Sequence, residues 1–189
     1  MALINENLLV RGASGNVGKQ FVYRRRGNNT HIVKMPSIKK GAVATTEQLE
    51  ARDRFADAVL YAQGAISSAE LKKEYQKTAP PGKTAYNMAF RDYLKAPVVK
   101  KIDASKYNRT PGSTIVVHAK DDFRVASVKV SIFNNQGNLL EEGEALINPV
   151  KRGQWVYTVT QADTELTAAV IRAKATDLPG NEGSLDISV

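Results

Sequence analysis

Two periodicities divide this chain. From Ser113 onward apolar residues recur at every second position, whereas between Thr45 and Leu94 they recur at every third or fourth. In the alternating region Ile115, Val117 and Ala119 fall on one face of Ser113–Lys120, and Val128, Val130 and Ile132 on one face of Phe123–Phe133. Asn134-Asn135-Gln136-Gly137 turns the chain into Leu139–Ile147, and Trp155–Thr160, Ala169–Thr176 and Ser184–Val189 follow. With a first strand near Val98–Ile102, these make about seven short strands with turn signals every ~8–12 residues, the pattern of an immunoglobulin-type sandwich. The sole tryptophan, Trp155, is expected in its core.

The helical region opens on Thr45-Thr46-Glu47-Gln48, where Thr45 and Gln48 have capping-box spacing. Leu49, Phe55, Ala58, Val59, Ala62 and Ile66 continue at helical intervals. Ser67-Ser68-Ala69-Glu70 opens a second, short helix carrying Leu71 and Tyr75, and Pro80-Pro81-Gly82 breaks it. Thr84 then caps a third, with Tyr86, Ala89, Phe90, Tyr93 and Leu94 on one side, ending before Pro97. Three such helices are too few for a secure core, so they are expected to pack on the N-terminal hairpin, the sandwich or another copy.

Upstream, Gly12–Gly18 reads as a loop. Gln20–Arg26 and Thr30–Met35 read as strands around a Gly27-Asn28-Asn29 turn, with Pro36 and Gly41 closing the segment. Phe21, Tyr23 and Arg25 share one face, and Val22, Arg24 and Arg26 the other. The fold class is thus α+β: 1–44 a basic glycine-rich loop and β-hairpin arm, 45–97 a three-helix segment, 98–189 an Ig-like antiparallel β-sandwich.

Charge changes this picture once it is located. The net +8 is concentrated in 1–44, where eight Lys/Arg face only Glu6, while 96–189 carries eleven bases and eleven acids. The candidate contact residues are therefore Lys19, Tyr23, Arg24, Arg25, Arg26 and Lys34, with Lys39 and Lys40 beyond them. Aromatic and basic residues on a hairpin suit stacked bases and phosphates, an acidic protein face, or a solvated strand that resists uncontrolled pairing; all three remain open. Glu141, Glu142 and Glu144 form a candidate acidic partner face.

Catalytic motifs fail on spacing. Five residues separate Gly12 from Gly18 where a phosphate-binding loop has four, and Gln20 follows Lys19 where Ser or Thr would hold magnesium. The absence of cysteine excludes disulfides, thiolate chemistry and Cys-type zinc sites. His31 and His118 have no metal-ligand spacing and no visible acid partner. Asp121, Asp122 and Asp177 lie in turns, where aspartate is a default residue and calcium a weak alternative. There is no apolar run of membrane-spanning length and no signal-peptide pattern at the N-terminus, so a cytoplasmic location is expected, or release within a particle.

The run Ala173-Lys174-Ala175-Thr176-Asp177-Leu178-Pro179-Gly180-Asn181, after Trp155-Val156-Tyr157, resembles the final hairpin of bacterial Ig-like repeat domains, in which an Ala-x-Asp-x-x-Gly-Asn turn joins the last two strands. Gly15-Asn16-Val17-Gly18, Tyr23-Arg24-Arg25-Arg26-Gly27, Pro36, Gln48, Arg52 and Phe55 resemble an uncharacterised bacterial family with a Gly-x-Val-Gly loop, an aromatic–basic hairpin and a Gln-x-x-x-Arg-x-x-Phe helix. The first resemblance implies a fold, the second kinship without residue roles. The expectation is a non-enzymatic structural or assembly protein that self-associates or docks into a larger particle through its basic N-terminal segment, without cofactor, metal or small-molecule substrate. The rival is a nucleic-acid-binding protein using the same arginines.

Overall fold

The computed structural model describes residues 2–4, 7–10, 12–35, 37, 41, 43–162 and 169–189. Pro36, Lys39 and Lys40 lie outside the described residues. The chain forms two compact units, 1–50 and 51–189.

In the first unit, β1 (Ala2–Ile4), β2 (Gly15–Val17), β3 (Phe21–Arg26) and β4 (Asn29–Lys34) make an antiparallel sheet in the order β1-β4-β3-β2. The stretch expected to be a glycine-rich loop thus contributes a strand. The reason is the turn after it: Gly18 and Lys19 both have φ of 56°, the two positive angles of a type I′ hairpin, and Gln20 N donates to Val17 O. At the next turn Gly27 alone is positive, with φ of 58°, so Asn29 becomes the first residue of β4, paired with Arg26. A single sheet has no second layer to seal it. Among residues 7–50 whose burial is described, only Thr30 is buried.

Three helices follow: α1 (Thr46–Ser67), α2 (Ala69–Thr78) and α3 (Ala85–Leu94). The expected box closes α1, with Thr45 N donating to Gln48 Oε1 and Gln48 N to Thr45 Oγ1. Ser68, one residue later than the expected box, caps α2, and Thr84 caps α3. Ala58, Ala62 and Ala65 are the buried stripe of α1, while Leu49 and Phe55 stay mostly exposed. The Ala62, Ala65, Tyr75, Met88 and Ala89 cluster is closed by Phe123 from the sandwich, whose ring stacks on Tyr75 at 4.0 Å. Of the three supports open to the helices, the sandwich is therefore one they use.

The sandwich pairs β5 (Val98–Lys106), β6 (Thr114–Lys120), β10 (Gln154–Thr158) and β9 (Leu146–Ile147) in one sheet. The other holds β12 (Glu182–Ser188), β11 (Val170–Asp177), β7 (Val125–Phe133) and β8 (Leu139–Glu144). This is the α+β class with an Ig-like arrangement of sheets. Ile115, Val117, Val128, Val130, Ile132 and Ile171 seal its interior, and Trp155 joins them at 7% exposure. The expected single strand Leu139–Ile147 is two: at buried Ala145 the chain leaves one sheet and enters the other. Gly183 in β12 admits no side chain, because a Cβ there would collide with the carbonyl of Pro97.

Candidate functional site

The candidate basic residues do not form one patch. Lys19 occupies the β2–β3 turn and Arg26 the far end of β3, separated by a run of strand on the order of 20 Å long. Register then divides the rest by face. Tyr23, Arg25 and Lys34 lie with Phe21, Thr30 and Ile32 on one side; Arg24 and Arg26 lie with Val22, His31 and Val33 on the other. Phe21 and Tyr23 meet edge to face at 5.4 Å, and Arg25 Nε donates to Gly27 O. Arg24, Arg25, Arg26, Lys19 and Lys34 are exposed, and no carboxylate among the described residues pairs with them. Each face thus offers cations at the Gly27 end beside half-exposed apolar residues.

The proposed acidic face is altered more deeply. A bulge at Leu140 turns both Leu140 and Glu141 toward the interior. Glu141 is buried, and its Oε1 accepts from Tyr157 Oη, Thr160 N and Thr160 Oγ1, each at 2.7 Å. Burial pushes this carboxyl up, but the hydrogen bonds from Tyr157, Thr160 and Gln161 outweigh it and hold it below its ordinary value. Glu141 therefore fastens the chain after β10 and does not face outward. Glu142 is occupied by Ser131 and Lys129, leaving Glu144 the freest of the three.

The turn aspartates join the helices to the sandwich. Asp122 Oδ1 meets Lys95 Nζ, just beyond the end of α3, and Asp122 Oδ2 meets Arg91 Nη2 of α3, each at 2.8 Å. Asp177 accepts from Gly180 N and Asn181 N, and Asn181 Nδ2 donates to Asp92 O and Tyr93 O near the end of α3. The Ala-x-Asp-x-x-Gly-Asn run is therefore a helix-docking turn as well as a hairpin. Asp92 itself is buried, with Oδ2 accepting from Tyr75 Oη at 2.7 Å and its carboxyl hydrogen-bonded to that of Asp121. Burial pushes its pKa up to about 7, the Tyr75 bond opposes this, and the charges of Asp121 and Asp177 reinforce it. Among the described residues no group of three or more His, Asp or Glu side chains is placed to hold a metal ion.

One surface escaped the sequence reading altogether. Residues 98–189 sum close to neutrality, yet their charges are segregated in space. A hollow of about 680 Å³ at the helix-bearing end of the sandwich gathers Lys100, Lys120, Arg124 and Arg152 around Trp155. The bulge at Lys100 was its only local signal, and it shows in the pairing of Val99 with Ala119 and of Lys101 with His118.

No family model matches the chain, and no curated protein matches it. Solved structures that match include one described as a tetra-tandem repeat in the extending region of a large adhesion protein. It is 17% identical, with a TM-score of 0.34, and the match covers 50% of this chain and 23% of that one. Among the described residues no helix is long and apolar enough to cross a membrane.

Proposed function

We propose that the chain is a non-enzymatic structural protein that self-associates, its 1–50 sheet being completed by a second copy. The observation that carries this reading is the uncovered sheet. Phe21, Val22, Tyr23, Ile32 and Val33 are all only half-buried, and they lie on both faces of the β3–β4 hairpin. A sheet with two half-apolar faces gains a core only by acquiring another layer. Electrostatics supports a copy of the same chain as that layer. The exposed first half of α1 carries Glu47, Glu50, Asp53 and Asp57 along one side, together with exposed Leu49 and Phe55, which complements Arg24 and Arg26 on one face of the sheet or Arg25 on the other. That stripe replaces the Glu141–Glu144 strand as the acidic partner.

Sedimentation velocity across protein concentration and ionic strength tests the reading. The expected result is assembly at low salt that weakens as salt rises. Arg24→Glu, Arg25→Glu and Arg26→Glu together should give monomers, and adding Glu50→Lys, Asp53→Lys and Asp57→Lys should restore association. A monomer at every concentration and ionic strength would refute it. Particles that co-purify with nucleic acid, and dissociate when it is digested, would favour the nucleic-acid reading instead.

A further inference from the structure

We infer that the hollow at the helix-bearing end of the sandwich is a binding site for a small phosphate-bearing ligand with a flat apolar body. This does not rest on the self-association reading, since every lining residue belongs to the 51–189 unit.

Three features argue for a built site. First, the charge is one-sided. The wall presents Lys100, Lys120, Arg124 and Arg152, with His118 beside them, against the single carboxylate Asp121. Arg124 is committed to Glu74 at 3.2 Å and lies over the Phe123 ring. Lys100, Lys120 and Arg152 are exposed, and among the described residues none has an ion-pair partner. Three like charges around one concavity repel each other, and an anion between them relieves that repulsion.

Second, the backbone is shaped to bring the charges there. Regular alternation in β5 would place a single residue between inward-facing positions. The bulge instead leaves Val99 and Ile102 both inward, with Lys100 as the extra residue beside the Val98–Lys120 pair. Lys100 and Lys120 consequently line both this hollow and an adjoining recess of about 220 Å³. Gly153 keeps the opposite rim close: its O accepts from Ala119 N, and its φ of 78° is the left-handed region that favours glycine. Arg152 is carried on that rim.

Third, the remaining lining is apolar. Trp155, Phe123, Val125 and Ile147 contribute to it, and Ile147 is 57% exposed at the sheet edge. Such a surface contributes little to bare phosphate and much to an aromatic or alicyclic phosphate monoester, whose body covers the apolar lining while the dianion meets the lysines and Arg152. Asp121 sets the orientation, since the phosphate must avoid it.

Because Trp155 is the only tryptophan, its indole N–H gives one resonance that reports on the site directly. The experiment is a ¹H–¹⁵N titration of the full chain with phenyl phosphate, with inorganic phosphate and phenol as separate arms. Phenyl phosphate should move the indole resonance saturably, inorganic phosphate more weakly, and phenol alone not at all. The Lys120→Gln, Arg152→Gln double variant changes only exposed side chains, so its unperturbed backbone spectrum serves as the folding control. In it, affinity should fall by about tenfold or more. An indole resonance that phenyl phosphate leaves unmoved at millimolar concentration would overturn the proposal. So would an equal response to phenol, or an undiminished affinity in the double variant.

Discussion

In the 51–189 unit, Ile115, Ile132 and Ile171 are sealed between two sheets, whereas in the 1–50 unit Phe21 and Ile32 on one face and Val33 on the other are only half-buried. Both regions read as antiparallel strands with turn residues between them. What differs is the number of layers. Two sheets facing each other close a core, and one sheet leaves both faces unfinished. Periodicity reports which residues share a face but not whether the same chain supplies the cover. The sandwich therefore supplies its own core, whereas the described apolar residues of the N-terminal sheet stay half-buried.

The largest expected effect tests that contrast directly. Ile171→Ala removes a fully buried side chain and should cost roughly 2–5 kcal/mol in chemical denaturation monitored by Trp155 fluorescence. Val33→Ala, on a half-exposed position of the uncovered sheet, should cost below about 1 kcal/mol in dilute protein. If association supplies the missing layer, the Val33→Ala penalty should grow with protein concentration while the Ile171→Ala penalty stays fixed. Equal penalties for the two at low concentration would break the comparison.

Strand identities were legible because alternation and turn residues agree across 98–189, and Thr45, Ser68 and Thr84 are capping residues whose side chains perform that role. The failures share a physical cause, which is that single inserted residues change the phase. At Leu140 the extra residue turns Glu141 inward, so a run of three glutamates that looks like an acidic face holds one buried carboxylate. At Lys100 it places two lysines in succession outside and builds one wall of the hollow. Beyond bulges, composition sums charge along the chain and not in space, so a region of zero net charge concealed a cationic concavity. Gly15–Val17 was misread because glycines mark loops until a type I′ turn pairs them with the next strand. The Ala-x-Asp-x-x-Gly-Asn run was legible as a turn, but its grip on α3 depends on a contact 88 residues away in sequence.

The second expected effect sharpens what holds the helices to the scaffold. Asp92 keeps its proton to about pH 7 in the folded chain and to about 3.8 when free, so its favourable contribution is complete below pH 4 and lost as pH rises through 7. Tyr75 and Tyr61 face it from α2 and α1, and Asp121 and Asp177 from the sandwich turns. Asp92→Asn keeps an acceptor for Tyr75 and cannot ionise. It should raise stability at pH 8 by about 4 kcal/mol and leave stability at pH 4 nearly unchanged. Denaturant midpoints at the two values read this out, and a variant whose midpoint falls equally at both would show that Asp92 is held ionised.

Asp122 supplies the smallest effect and the opposite sign. It lies on the next sandwich turn residue after Asp121, yet it remains partly exposed, and the Lys95 ammonium, aided by Arg91, holds its carboxyl below the ordinary range. A depressed carboxylate stabilises the fold above its unfolded pKa, and that contribution disappears as pH falls through the lower folded value. Asp122→Asn should therefore destabilise at neutral pH, be silent in strong acid, and lose much of its effect in high salt. Solvent screening of half-exposed partners keeps the cost below about 1 kcal/mol. Adjacent turn positions and the helix they hold thus carry two aspartates whose neutral replacements move stability in opposite directions at neutral pH. If both replacements moved it the same way, helix docking would depend on the Tyr75–Phe123 stack and the Asn181 hydrogen bonds to α3, and the charges of Asp92 and Asp122 would be incidental to the fold.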